Sequence, residues 1–251
     1  MKRLKLIKRL SIIFGILLIL AVTAISITGV LLYKGKISFA PSDKKYPVRG
    51  VDVSYYQGDI DWPVLASQNI QFAFIKATEG SSYTDPCFSY NIENALKTDL
   101  YVGAYHFFSF ESAGSTQADN FISAVEKTAG MLAPVIDVEF YGAYNENLPD
   151  KDATIKELSD MLEKLENYYG VKPIIYATIK SYNYCIKGNF DDYDLWIRNV
   201  YFSPTVLYGK RWRFWQYEDS AVLDGYSGEQ KYIDMNVFNG SLSEFSTYVQ
   251  K

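Results

Sequence analysis

The sequence predicts an α/β protein: an irregular TIM-like (β/α)5(β)3 barrel preceded by one N-terminal transmembrane helix. Three observations lead there. Strand-like and helical patterns take turns through most of the chain, which argues for a parallel sheet with helical crossovers. Eight strand candidates suffice to close a barrel, and the last three lack convincing helical patterns between them, which makes the barrel irregular. Ahead of them stands a run of 24 residues without one charge.

Residues 1–9 carry Lys2, Arg3, Lys5, Lys8 and Arg9 and no acid. Leu10 to Tyr33 then exceeds the ~20 residues a helix needs to cross a bilayer and the roughly 7–15 of a signal-peptide core. Five cations before the run, against Lys34 and Lys36 just after it, predict a cytoplasmic N-terminus and an exported C-terminal domain. Val22-Thr23-Ala24 has the small residues of a cleavage site, but cutting there leaves Ile25 to Tyr33 as an apolar tail. The expectation is therefore an uncleaved signal-anchor over 10–33, a single-pass protein of the cell membrane with the lipid bilayer as one partner. Residues 34–48, with Pro41, Ser42 and Pro47 as breakers, read as a linker. Fully extended it reaches about 50 Å, so the domain over 49–251 works close to the membrane.

Charge divides at this boundary. Of 25 Lys and Arg, nine precede Tyr46; of 29 Asp and Glu, Asp43 alone does, which leaves 16 cations against 28 anions in the domain. An exported domain with that acidic excess is a poor partner for nucleic acid or anionic lipid. Cys87 and Cys185 are the two cysteines, with no spacing that demands a disulfide, and His106 is the single histidine. A zinc or redox centre and a Ser-His-Asp triad are both poor fits to that inventory. His106 sits in the strand-like run Tyr101 to Phe108 and reads as a packed structural histidine.

The strand candidates are Arg49 to Val53, Phe72 to Thr78, Tyr101 to Phe108, Pro134 to Phe140, Lys172 to Thr178, Leu195 to Val200, Arg213 to Tyr217 and Tyr232 to Phe238. Helical patterns cover Trp62 to Gln68, Phe88 to Lys97, Thr116 to Lys127 and Asp152 to Tyr169. The last is clearest, with Ile155, Leu158, Leu162, Leu165 and Tyr169 at helical spacing. Active sites of such folds form at the carboxyl ends of the strands, and polar residues recur there: Asp52, Lys76 with Glu79, His106, Asp137 with Glu139, Tyr176, Gln216 and Asp234.

The fourth strand is the most informative. In Ala133-Pro-Val-Ile-Asp-Val-Glu-Phe140, alternation puts Val135, Asp137 and Glu139 on one face and Ile136, Val138 and Phe140 on the other. Two carboxyls side by side on a buried strand resist ionisation through desolvation and like charge. Acid/base chemistry with one carboxyl protonated uses such a pair; an ion-paired pair at a solvated strand end is the structural alternative. The domain is also rich in aromatics, whose faces stack on sugar rings. Tyr55, Tyr56, Tyr105, Tyr176, Trp196 and Tyr217, near strand ends, are binding candidates.

These residues fall into a recognisable order. Arg49-Gly-Val-Asp-Val-Ser-Tyr-Tyr-Gln-Gly58 resembles the opening strand and loop of glycoside hydrolase family 25, the lysozymes or N-acetylmuramidases. Phe74-Ile-Lys-Ala-Thr-Glu-Gly80, Val102-Gly-Ala-Tyr-His-Phe107, Pro134-Val-Ile-Asp-Val-Glu139, Pro173-Ile-Ile-Tyr176, Leu195-Trp-Ile197, Trp215-Gln-Tyr217 and Ile233-Asp-Met-Asn-Val-Phe238 follow in that family's order. The resemblance implies hydrolysis of the β-1,4 bond between N-acetylmuramic acid and N-acetylglucosamine in peptidoglycan glycan strands, with no metal or organic cofactor. It implies Glu139 as general acid, Asp137 as its carboxylate partner, and Asp52 and Asp234 in the same cleft. Tyr105, Tyr176, Trp196, Gln216 and Tyr217 become the substrate-binding candidates. Departures lie in Tyr55-Tyr56, where the family often has His or Asn, and in Val200 to Lys210 and Tyr226 to Lys231, which fit loosely.

The pair also frames a mechanism. Glu139, protonated because Asp137 is ionised beside it, would donate to the glycosidic oxygen. Strand residues i and i+2 lie about 6.5–7 Å apart, between the separations of retaining and inverting pairs, so spacing leaves the stereochemistry open. A substrate-assisted route, in which the sugar's acetamido carbonyl attacks the anomeric carbon under Asp137, predicts retention. Three alternatives stand: another acetamido-sugar glycosidase, a membrane-anchored wall-binding or assembly module with little or no turnover, and a membrane-anchored interaction protein whose barrel is only scaffold.

Overall fold

The computed structural model describes residues 2–33, 40–205 and 212–249; within the first helix, side chains are described for 9–27. Contacts divide the chain into two compact units, Met1–Ala40 and Pro41–Lys251. The first holds helix α1 (Lys2–Tyr33), whose stretch Arg9–Ile27 has a mean hydropathy of 2.8 and no buried share.

The second unit is a closed barrel. Its strands are β1 (Arg49–Val53), β2 (Phe72–Glu79), a two-residue edge strand β3 (Tyr83–Thr84), β4 (Tyr101–Phe107), β5 (Val135–Val138), β6 (Ile174–Thr178), β7 (Leu195–Arg198), β8 (Trp212–Ala221) and β9 (Ile233–Phe238). The order β1-β9-β8-β7-β6-β5-β4-β2 closes through a parallel β1–β2 pairing, with β3 hanging on β2. Among the barrel strands, the pairings of β1, β2 and β4 to β8 with one another are parallel, while β9 runs antiparallel to both neighbours and the edge strand β3 antiparallel to β2. Eight strands thus close as the alternation of patterns predicted. Helices α2 (Trp62–Ala66), α3 (Phe88–Ala95), α4 (Gly114–Ala124) and α5 (Lys151–Tyr169) follow the first four barrel strands, and a short helical segment Ile179–Ser181 follows β6.

Local chemistry sets the helix ends. Asp61 and Asp150 cap α2 and α5 by accepting from the backbone N–H of Val64 and Ala153, and Gly170 ends α5 at φ 75°. Leu158, Met161, Leu162, Leu165 and Tyr169 form the buried stripe of α5.

Strand alternation then builds two apolar layers. Val51, Val53, Ala73, Ile75, Val102, Ile136 and Val138 face the helices, whereas Phe72, Phe74, Val135, Ile174, Trp196, Phe214 and Phe238 fill the barrel. Room for these rings comes from small neighbours: a Cβ on Gly103 would sit 2.6 Å from the Phe74 ring. Phe245, from the C-terminal turn Leu242–Phe245, closes the amino end of the barrel against Phe72 and Phe238. The interior is packed at that end and opens into polar groups at the other.

The linker boundary moves. Residues 34–39 lie outside the described residues, but Tyr46 and Val48 are buried, Tyr46 packing 5.7 Å from Trp212 and 6.0 Å from Trp215. The compact unit therefore begins at Pro41, ahead of the Arg49 expected from Pro and Ser content. In the loosely fitting stretch after β7, residues 206–211 lie outside the described residues.

Candidate active site

Inward-facing residues at the carboxyl ends of the parallel strands, joined by Asp234 from the amino end of antiparallel β9, meet in a cleft of about 380 Å³. Alternation decides who arrives. On β5 and just beyond it, Asp137 and Glu139 face in while Ile136 and Val138 pack outward. Lys76 (β2), Tyr105 (β4), Tyr176 (β6), Trp196 and Arg198 (β7), Gln216 (β8), and Asp52 and Asp234 (β1 and β9) complete the lining. The four carboxyls expected from sequence are thus gathered in one site.

Asp52 and Asp234 lie directly opposite on antiparallel strands. Asp52 Oδ2 accepts from Gln216 Nε2 at 2.9 Å and Asn236 Nδ2 at 2.7 Å. Those amides hold Asp52 as the anion of the pair, although burial still pushes it up to about 6. Asp234 hydrogen-bonds to it and is pushed to about 9 by burial and then by the Asp52 charge, so at neutral pH it is the protonated donor.

A consequence concerns stability. Asp234 keeps a proton in the fold that the unfolded chain releases near the ordinary value of 3.8. Because the folded state binds more protons in that window, stability falls as pH climbs from about 4 towards about 9. Asp234→Asn, whose amide still donates to Asp52, should therefore raise stability at pH 8 by about 1–3 kcal/mol and by much less at pH 4. Urea midpoints of both proteins at the two pH values check this.

The second pair is raised as a whole. Burial and the Glu139 charge hold Asp137 well above the carboxylate range. Glu139 is also raised by burial, but Arg198 and Lys76 oppose that rise. Both carboxyls of the pair are therefore raised, and each is opposed by a nearby cation. Arg198, beside Glu139 in the cleft, is half-buried and tied to Asp219 at 2.5 Å. Asp137 Oδ1 is a buried oxygen with no hydrogen-bond partner, facing the cleft with an unmet acceptor.

Around these groups runs a buried polar network. Tyr176 donates through its hydroxyl to Gln216 Oε1 at 3.0 Å, and the indole N–H of Trp196 donates to Asn236 Oδ1 at 2.8 Å. Both chains end on Asp52. Trp196, 2% exposed and stacked 4.8 Å from Phe74, is the floor of the cleft and not an open stacking platform. Tyr105 lines the wall.

One sequence candidate sits elsewhere, and His106 is packed as its sequence context indicated. Tyr217 belongs to the outer face: its neighbour Gln216 points in, so Tyr217 points out, packs 5.9 Å from Trp215 and accepts from Arg49 Nη1 at 2.8 Å. It does not reach the cleft, and its assignment to substrate binding is withdrawn. His106 is fully buried against α4, with Nδ1 2.7 Å from Thr78 Oγ1 and Nε2 3.1 Å from Gln117 Oε1. Gln117 Nε2 donates to the Ser109 and Ser112 carbonyls, so its Oε1 accepts from His106 Nε2–H and the imidazole is neutral. Burial lowers its pKa to about 4. Sequence reasoning missed Arg198 and Asn236, although alternation from Trp196 and Asp234 points to both. Among the described residues no His, Cys, Asp and Glu group is arranged to hold a metal ion.

Comparison with known proteins bears on this geometry. The Glycosyl hydrolases family 25 profile matches residues 51–226. A family 25 glycosyl hydrolase structure from Bacillus anthracis is 50% identical, with a TM-score of 0.79 over 84% of this chain and 97% of that one. The crystal structure of a bacterial lysozyme from Streptomyces coelicolor is 33% identical, with a TM-score of 0.72 over 81% of this chain and 97% of that one. Lysozyme M1 of Streptomyces globisporus is 34% identical over 209 residues, covering 77% of this chain and 68% of its own. A closed eight-stranded barrel with carboxyls gathered at its carboxyl end, matched at this identity over this length, makes the chain a glycoside hydrolase belonging to glycosyl hydrolase family 25.

Proposed function

We propose that the protein is a peptidoglycan muramidase, hydrolysing the β-1,4 bond between N-acetylmuramic acid and N-acetylglucosamine. The observation that carries this is the Asp137–Glu139 pair: two raised carboxyls on one strand face, one with a buried oxygen awaiting a donor. An acetamido N–H is such a donor. Hydrogen bonding to Asp137 Oδ1 favours its ionised form and moves the shared proton to Glu139, which then faces the glycosidic oxygen as general acid. Substrate binding thus sets the protonation order of the pair.

Asp137 in this scheme orients the acetamido group and balances positive charge as its carbonyl attacks the anomeric carbon. Asp52 and Asp234, one ionised and one protonated, shape the floor beneath, with Tyr105 and Tyr176 beside the sugar and Gln216 holding Asp52. Two displacements at one carbon give retention. Proton NMR of the first-formed product anomer checks this: the β-anomer is expected, and an initial α-anomer contradicts the substrate-assisted route.

Helix α1 serves, in the same proposal, as an uncleaved anchor that keeps the enzyme near nascent wall, with its N-terminus cytoplasmic. Its apolar stretch, basic flank and exposure support the anchor. The full 28.6 kDa chain should stay with membranes through a high-salt wash and leave with detergent; a shorter, freely released form indicates a cleaved signal instead.

A further inference from the structure

The rim of the cleft carries rings that the catalytic groups do not use. Tyr55 and Tyr56 open the turn after β1 with ring centroids 4.1 Å apart and planes 31° off parallel. Tyr56 lines the cleft and is still 39% exposed. Tyr83, on the edge strand β3, is 41% exposed. Lys76 Nζ stands 5.7 Å from the Tyr83 ring and 4.9 Å from Phe107, inside the cleft, so one cation ties inner and outer rings together.

The turn is fixed in place. Ser54 and Gln57 form a reciprocal capping box, Gln57 Nε2 donates to the Tyr232 carbonyl, and Tyr55 N–H donates to Asp85 Oδ2. From the β8–β9 loop, Gln230 N–H donates to the Tyr56 carbonyl and Gly228 N–H to that of Gln57. Approach is so close that a Cβ on Gly228 would lie 2.3 Å from Tyr56 O. Exposed rings on a fixed turn lose little freedom on binding, which is how a preformed site gains affinity.

We propose that Tyr55 and Tyr56 form an additional glycan subsite beyond the cleaved bond, with a pyranose face on the Tyr56 ring, making the enzyme selective for long strands. This rests on the glycan-hydrolase reading above. The occupant follows from continuity: at about 380 Å³ the cleft is near the lower end of ligand sites, so a polymer lying in it must run out over its rim, and Tyr56 belongs to both. The chemistry suits a neutral sugar, whose C–H face meets the ring while its hydroxyls meet phenols. The Tyr55 phenol, hydrogen-bonded to Tyr56, is pushed up to about 12 and stays neutral.

Binding tests this apart from hydrolysis. The full-length chain in detergent, carrying Glu139→Gln, is titrated calorimetrically with N-acetylglucosamine hexamer and dimer. Adding Tyr56→Ala should cut the preference for hexamer over dimer roughly 3- to 10-fold, while Tyr56→Phe keeps most of it. An equal change at both lengths, no change at either, or no hexamer binding overturns the subsite. Product analysis on peptidoglycan bears separately on the muramidase reading, so the two fail distinguishably.

Discussion

Glu139→Gln is expected to lower kcat on peptidoglycan by about 10²–10⁴-fold, the range of a positioned general acid, with far less change in KM. Gln keeps the shape and loses the proton. Burial raises both Glu139 and Asp137, and Lys76 opposes the rise of each, so a bound substrate can set which carboxyl holds the proton. Removing one charge from a buried repelling pair also relieves the fold, so the variant should unfold at equal or higher urea. Turbidity clearance of purified peptidoglycan and urea unfolding measured together separate lost chemistry from lost structure.

Asp137→Asn is expected to be nearly as damaging, about 10²–10³-fold in kcat, because the developing positive charge loses its counter-charge. Its second effect is on pH dependence. In the wild type the pair's last proton leaves at a pH raised by burial and mutual repulsion; activity that needs this proton persists below that point and fades above it. With Asn at 137, Glu139 titrates without that neighbour, and the alkaline limb of kcat/KM moves to lower pH. A pH–rate profile of both proteins reads the shift; an unmoved limb assigns it to another group.

Much of this site was legible in the residues, for physical reasons. Side-chain period 2 on buried strands put Asp137 and Glu139 on one face and Ile136 and Val138 on the other, which is their arrangement in the barrel. Asp52 and Asp234 were legible as strand-end acids, but not that they sit opposite each other, since register between β1 and β9 is a tertiary matter. Tyr217 was misplaced because Gln216 was taken with it, although adjacent strand residues point apart. The influence of Arg198 on Glu139 was not legible either: it comes from β7, two strands further along the chain. The packing of Tyr46 on β8 was not legible for a related reason, since Pro and Ser mark irregular backbone and say nothing of ring contacts.

The central claim is that the Asp137–Glu139 cleft cuts glycan strands at muramic acid. Purified peptidoglycan digested by the 41–251 unit, with its Glu139→Gln variant alongside, is reduced and analysed by mass spectrometry for the sugar at each new chain end. Reduced N-acetylmuramic acid ends with the active protein, absent with the variant, are the predicted result. Reduced N-acetylglucosamine ends, or no new ends with either protein, would contradict it.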